Sequence, residues 1–189
     1  MPRDEMDPRV TRTHHLVLDA ASELLAEEGY GGFTVDGVAA RSGVAKTTIY
    51  RHWPTRAELL AATMACFHEC PATPDTGSMR TDVQLLLKQL AIELAEAPWS
   101  RSMPGMLEGA ERDKDLAANQ LAIFDAHASA LREVLVRWQA KGELRADADL
   151  EVAFAALAGP LFFRRLVLRQ ATTSRQVDEL IELVLTGLT

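Results

Sequence analysis

The chain has little of what staples a small secreted protein or anchors a membrane protein. Cysteine occurs only at Cys66 and Cys70, in a segment with helical patterning. Thiols four apart on a helix share a face but rarely reach disulfide geometry, so no disulfide framework is expected. The longest uncharged stretches, Leu59–His68 and Val152–Phe163, fall well short of the roughly 18 apolar residues of a membrane span. Near the start, Asp4, Glu5, Asp7, Arg9 and Arg12 leave no apolar segment for a signal peptide, which makes a cytoplasmic location the expectation. Neither an HExxH nor a P-loop pattern occurs. The paired carboxylates Glu27-Glu28 and Asp147-Asp149 fall at helix ends, where solvation accounts for them. No cofactor, metal site or enzymatic activity is therefore expected.

Positive charge is also scarce. Twenty Lys and Arg against 27 Asp and Glu leave a net charge of −7 and a pI near 5.2, a balance that repels a polyanion unless the sign reverses locally. Residues 1–70 hold seven cations against ten acids and residues 71–189 thirteen against seventeen, so neither segment is basic. Yet Gly37 to Ala57 contains no acid at all, while Arg41, Lys46, Arg51 and Arg56 give it four positive charges with His52 beside them. On charge alone such an island is as well explained by a solvated face as by a binding site.

What is present is material for a core: 189 residues, 48% hydrophobic and 25% charged, enough for one or two folded domains. Residues 11–28 place Val17, Ala20, Ala21 and Leu24 at helical spacing, with Leu18 and Leu25 widening the stripe and Gly29 where a C-cap would stand. Tyr30 to Phe33 reads as a turn. Thr34 then suits an N-cap, and Phe33 with Val38 has hydrophobic-staple spacing, which starts a short helix with Val35, Val38 and Ala39 inside. Ser42-Gly43-Val44 interrupts it, and Gly43 is free to take positive φ. Ala45 to Trp53 forms a third short helix whose one clearly aliphatic residue is Ile49. Pro54 stops it, and Thr55-Arg56-Ala57-Glu58 is a capping box that opens a fourth helix, Thr55 to Cys70. Pro71 to Ser78 reads as a loop. Further helices are expected near 80–97, 102–111, 115–141, 147–169 and 174–187, with Pro160 kinking the fourth of these. No strand alternation competes, so the expected fold is all-α.

Two short helices joined by a glycine-containing turn form a helix-turn-helix, whose second member enters the DNA major groove. The positive island coincides with that second member. Groove reading needs cations and an aromatic hydroxyl for phosphates and small hydroxyls for base edges, and Lys46, Thr47, Thr48, Tyr50 and Arg51 supply them.

The run Gly29-Tyr30, Phe33-Thr34-Val35, Val38-Ala39, Ser42-Gly43-Val44 and Thr48-Ile49-Tyr50-Arg51-His52-Trp53 resembles the tetracycline-repressor (TetR) family of bacterial regulators over roughly residues 14–62. Leu157 to Arg164 resembles the penultimate helix of a common subgroup. The resemblance implies a homodimeric all-helical repressor, with a three-helix DNA-binding domain and a larger domain that binds a small effector. It implies Thr34 and Tyr50 on phosphates, Lys46, Thr47 and Thr48 near the groove floor, and His52 and Arg56 on the flanking backbone. With Arg51 and Thr55, these are the candidate DNA-binding residues.

The expected organisation is a helix-turn-helix domain over residues 1–54, a connecting helix over 55–70, and an effector-binding and dimerisation domain over 71–189. Trp99, Met103, Met106, Phe124, His127 and Trp138, with Leu107 and Leu131, are candidates for the effector pocket, and their mixture of thioether and flat rings suits an apolar or aromatic molecule. Each also reads as ordinary core. The last two helices are assigned to an isologous four-helix interface through Leu157, Leu161, Leu180 and Val184, since a twofold pair of reading helices about 34–36 Å apart engages successive major grooves. Effector and operator would then antagonise each other through the fourth helix. Three alternatives compete: a thiol or metal sensor on Cys66, His68 and Cys70, a helical-bundle enzyme, and a nonspecific architectural protein.

Overall fold

A computed structural model describes residues 8–66 and 72–188. Among the described residues the chain is helical throughout, with no strand, in the order α1 (Pro8–Gly32), α2 (Val35–Ser42), α3 (Lys46–His52), α4 (Arg56–Cys66), α5 (Met79–Glu96), α6 (Pro98–Ala110), α7 (Lys114–Ala140), α8 (Leu150–Leu166) and α9 (Ser174–Leu188). The all-α expectation holds. Residues 67–71, which include His68, Cys70 and the expected end of the fourth helix, lie outside the described residues, as does the side chain of Cys66.

Local chemistry explains the boundaries. Thr34 is extended, and its hydroxyl accepts the Gly37 amide at 3.0 Å, satisfying one of the unpaired donors of the first turn of α2. Gly43 ends α2 at φ 70°, and its amide reaches Ala39 O. Before α4 the Thr55 hydroxyl accepts the Glu58 amide at 3.1 Å and donates to Glu58 Oε1 at 3.0 Å. At Gly29, where the C-cap was expected, the backbone leaves helical geometry (φ 67°, ψ −173°) and a further helical turn runs to Gly32, so α1 is two helical pieces joined across a kink. Pro98, which falls between the helices expected near 80–97 and 102–111, is the first residue of α6, where its missing N–H costs nothing. Helix α8 continues through Pro160.

The chain packs as two compact units whose division differs from the sequence-based one. The first takes residues 8–66 together with Arg101–Ile123, and the second runs from residue 72 to Ser100 and resumes at Phe124. The first unit buries Val17, Leu24 and Leu25 of α1, Phe33, Val38 of α2, Ile49 of α3 and Leu59 and Leu60 of α4, together with Met106 of α6 and Leu116 of α7. A head this small cannot close its own core, so α6 and the first turns of α7 complete it. Ser102 Oγ donates to Leu25 O at 2.8 Å. A Cβ at Gly109 would lie 2.5 Å from Tyr30 Cε1 and 2.9 Å from Leu116 Cδ2, so only glycine there admits the Tyr30 ring.

In the second unit α5, α8 and α9 pack on one another, and buried side chains include Val83, Leu87, Leu157, Leu161, Ile181 and Leu185. At its centre the wholly buried Asp82 accepts the Thr76 amide at 2.8 Å, the Thr76 hydroxyl at 2.7 Å, Arg137 at 2.8 Å and the Trp138 indole N–H at 3.0 Å. Burial alone would raise its pKa, but the Thr76 donors, the indole and the Arg137 charge outweigh that and hold the carboxyl below its usual range. Arg165 of α8 bonds Leu94 O at 2.9 Å, Ser100 Oγ at 2.7 Å and Ser100 O at 3.0 Å, tying the end of α8 to the α5–α6 junction.

Candidate nucleic-acid interface

Helix α3 is a short rod with one anchored residue. Ile49 is fully buried and Trp53 just beyond it is 7% exposed, whereas Lys46, Thr47, Tyr50 and Arg51 are exposed and Thr48 and His52 half-buried. Ile49 is the one aliphatic residue among its seven, so it anchors the buried side while the polar side chains and Tyr50 stay outside. The candidate side chains of α3 therefore stand on or beside its solvent side. Thr34 and Thr55 are exposed as well, and each hydroxyl also caps a helix.

Helix α1 braces the far end of α3. The His14 ring lies 4.5 Å from the His52 ring, edge to face, and 4.6 Å from Trp53. Burial, then repulsion from His52 and His15, pushes the His14 imidazole below its ordinary pKa. Its buried Nε2 meets no hydrogen-bond partner among the described residues.

The cation island is less positive in space than in sequence. Arg41 bonds Glu27 at 2.6 Å and approaches Glu23 at 3.9 Å, and that bond raises the arginine pKa and lowers the Glu27 pKa. Lys46 pairs with Asp36 of α2. Arg56, expected on the DNA backbone, turns inward. Its guanidinium donates to Tyr30 O at 2.6 Å, Phe33 O at 2.7 Å and Tyr30 OH at 3.1 Å and lies 4.3 Å from the centre of the Tyr30 ring. Five donors in a rigid fork suit the turn carbonyls that α1 leaves unpaired. Among the described residues Arg51 is the island's cation that no carboxylate or carbonyl claims, its one polar contact being Thr48 Oγ1 at 3.5 Å. Asp36 and His14 are not among the sequence-based candidates, and Tyr30 enters there only as part of the turn and of the family run. Asp36 lies one residue before the acid-free window, and the aromatic Tyr30 beside a kinking glycine was the available signal for the clamp.

The expected effector residues do not gather in one unit. Met103 and Met106 belong to the first, where Met106 is core. Trp99, Phe124, His127 and Trp138 belong to the second, where Trp99 and Trp138 are buried and the Trp138 indole is committed to Asp82. Phe124, 38% exposed, does meet other rings: Phe154 at 6.0 Å and Phe162 at 6.3 Å, with the Arg132 guanidinium 4.7 Å from the Phe154 ring.

Two of the expected interface residues need correction. Leu157 and Leu161 are 0% and 1% exposed inside the protomer and cannot reach a partner. The rotation of α8 instead turns Val152, Ala155, Gly159 and Phe163 outward, while α9 exposes Leu183 at 77% beside half-buried Leu180 and Val184.

Comparison with known proteins identifies the family. The model for bacterial regulatory proteins of the tetR family matches residues 17–63, spanning α2 to α3 and most of α1 and α4. That for the tetracyclin repressor-like C-terminal domain matches residues 73–184. The chain is 30% identical over 176 residues to the uncharacterized HTH-type transcriptional regulator YdeS of Bacillus subtilis, covering 92% of this chain and 88% of that one. It is 30% identical over 173 residues to the DNA-binding transcriptional repressor TetR of Mycobacteroides abscessus, covering 87% and 90%. The solved structure of the TetR family transcription regulator SCO0332 superimposes with a TM-score of 0.73 at 29% identity, covering 94% of this chain and 99% of that one. With its helix-turn-helix and helical C-terminal region, the chain belongs to the TetR family of bacterial transcriptional regulators.

Proposed function

We propose that the protein is a cytoplasmic homodimeric repressor that holds a palindromic operator and releases it when a small apolar or aromatic effector binds. The observation that carries the DNA-reading part is the one-sided burial of α3, which leaves Lys46, Thr47, Tyr50 and Arg51 in solvent. Arg51 and Tyr50 take phosphates, Thr47 and Thr48 approach base edges, and Thr34 and Thr55 flank them. Arg56 acts through the turn that it clamps and positions α3. The similarity to a named repressor supports repression.

The outward face of α8 and α9 supports dimerisation there. Val152, Phe163 and Leu183 are more than half exposed, and small Ala155 and Gly159 between them admit close helix approach. For the effector, the partly exposed Phe124–Phe154–Phe162 cluster replaces Trp138 as the aromatic contact. Selection of genomic fragments on the immobilised protein, repeated with a metabolite panel, tests the reading. The expected result is one inverted-repeat site released by an aromatic or apolar compound. Recovery of unrelated sequences at equal affinity would overturn it. Leu183→Glu should turn dimer into monomer in sedimentation and abolish tight operator binding, and an unchanged dimer would move the interface elsewhere.

A further inference from the structure

We propose that Asp36 is a specificity-determining residue, an acid that withholds Lys46 from non-cognate DNA. This rests on α3 being the DNA-reading helix. Lys46 is the first residue of that helix, and its ammonium is paired with the Asp36 carboxylate across the helix-turn-helix corner. Both side chains are open to water, at 53% and 68% exposure, so the pair is exchangeable. A phosphate that takes Lys46 must displace Asp36 and then tolerate a bare carboxylate beside it. The cation gains nothing unless other contacts already hold α3 against the duplex.

That condition separates the two kinds of DNA. Non-specific binding rests almost wholly on phosphate neutralisation and the release of condensed counterions. Lys46, already neutralised from within the protein, supplies little of that drive, and Asp36 adds repulsion. On a cognate site, base-edge contacts from the same helix fix the register, and the exchange of Asp36 for phosphate proceeds in place. Arg41, paired with Glu27 and Glu23, is restrained in the same way. An acidic guard also fits a chain whose reading head must not coat the chromosome. Asp36 is not needed for the α2 cap, since the Thr34 hydroxyl accepts the Gly37 amide, so Asp36→Asn leaves that cap intact.

The test measures the full-length protein on a random-sequence duplex across a salt series, with wild type, Asp36→Asn, Lys46→Ala and the double variant. Asp36→Asn should tighten random-duplex binding by about threefold to tenfold near 0.1 M salt and steepen the plot of log affinity against log salt by about one. In the Lys46→Ala background the same substitution should leave the slope unchanged. On the tightest genomic fragment the gain should be smaller, so the specificity ratio falls. A slope that Asp36→Asn does not change, or that changes equally without Lys46, overturns the guard while leaving DNA reading intact. Failure of all four proteins to bind duplex even at low salt overturns the DNA-reading assignment itself, and the guard with it.

Discussion

The exposed ion pairs of the first unit and the buried carboxylate of the second hold their charge in opposite ways. In the first, the ion pairs Arg41–Glu27 and Lys46–Asp36 lie at the surface, where water and phosphate can replace either partner. In the second, Asp82 is sealed from solvent and saturated by four donors from the 72–78 segment and α7. A surface pair can be given up to a competing anion at little cost, whereas a buried carboxylate that loses its partners has no substitute. The pairs beside α3 are thus negotiable, whereas Asp82 fixes where the 72–78 segment and α7 sit.

Breaking the buried side of this contrast should have the largest effect. Asp82→Ala leaves the Trp138 indole and the Arg137 guanidinium without their shared acceptor and should cost about 3–5 kcal/mol, read as a lower urea midpoint by far-UV ellipticity. A loss below about 1 kcal/mol would mean that water replaces the carboxylate and that the centre of the unit is not sealed.

The Arg56 clamp sharpens the contrast from within the head, because it is the island cation that behaves like the second unit. Arg56→Lys keeps the charge but loses the fork. Stability should fall by about 1.5–3 kcal/mol, and the salt slope of DNA binding should stay unchanged. If Arg56 instead met a phosphate, Arg56→Ala would lower the slope by about one, and lysine would restore it.

The smallest expected effect belongs to His14. Its folded pKa lies below the ordinary 6.5 because burial, His52 and His15 all disfavour the imidazolium. The unfolded chain therefore binds a proton that the folded head refuses, and stability drops as pH falls through 6.5 towards the lowered value. Above that window the penalty is absent. His14→Gln should flatten the dependence of the urea midpoint between about pH 7.5 and 5.5. An equally steep dependence in the variant would rule out His14 as its source.

Much of the head was legible because its signals are local. The Thr34 hydroxyl, the Gly43 corner, Pro54 and the Thr55–Glu58 box each act within four residues of themselves, and a lone aliphatic residue in α3 can face only one way. The partners of the cations were not legible. Glu27 meets Arg41 from fourteen positions away, and Tyr30 meets Arg56 from twenty-six, separations over which linear charge counting carries no information. The outward side of α8 was not legible for a related reason. Leu157 and Val152 are equally apolar, and which one turns outward depends on where α5 and α9 lie.

Reading the chain was enough for the all-helical fold, the ends of α2 and α3, the helix-turn-helix and the family, because capping, turn chemistry and apolar periodicity are short-range and act before any two segments meet. Packing alone settled that α6 and the start of α7 complete the head, that Arg56 is a clamp, that Lys46 is already paired, and which side of α8 stays in water. Those outcomes depend on distances between residues far apart in the chain, and such distances exist only once the core has formed.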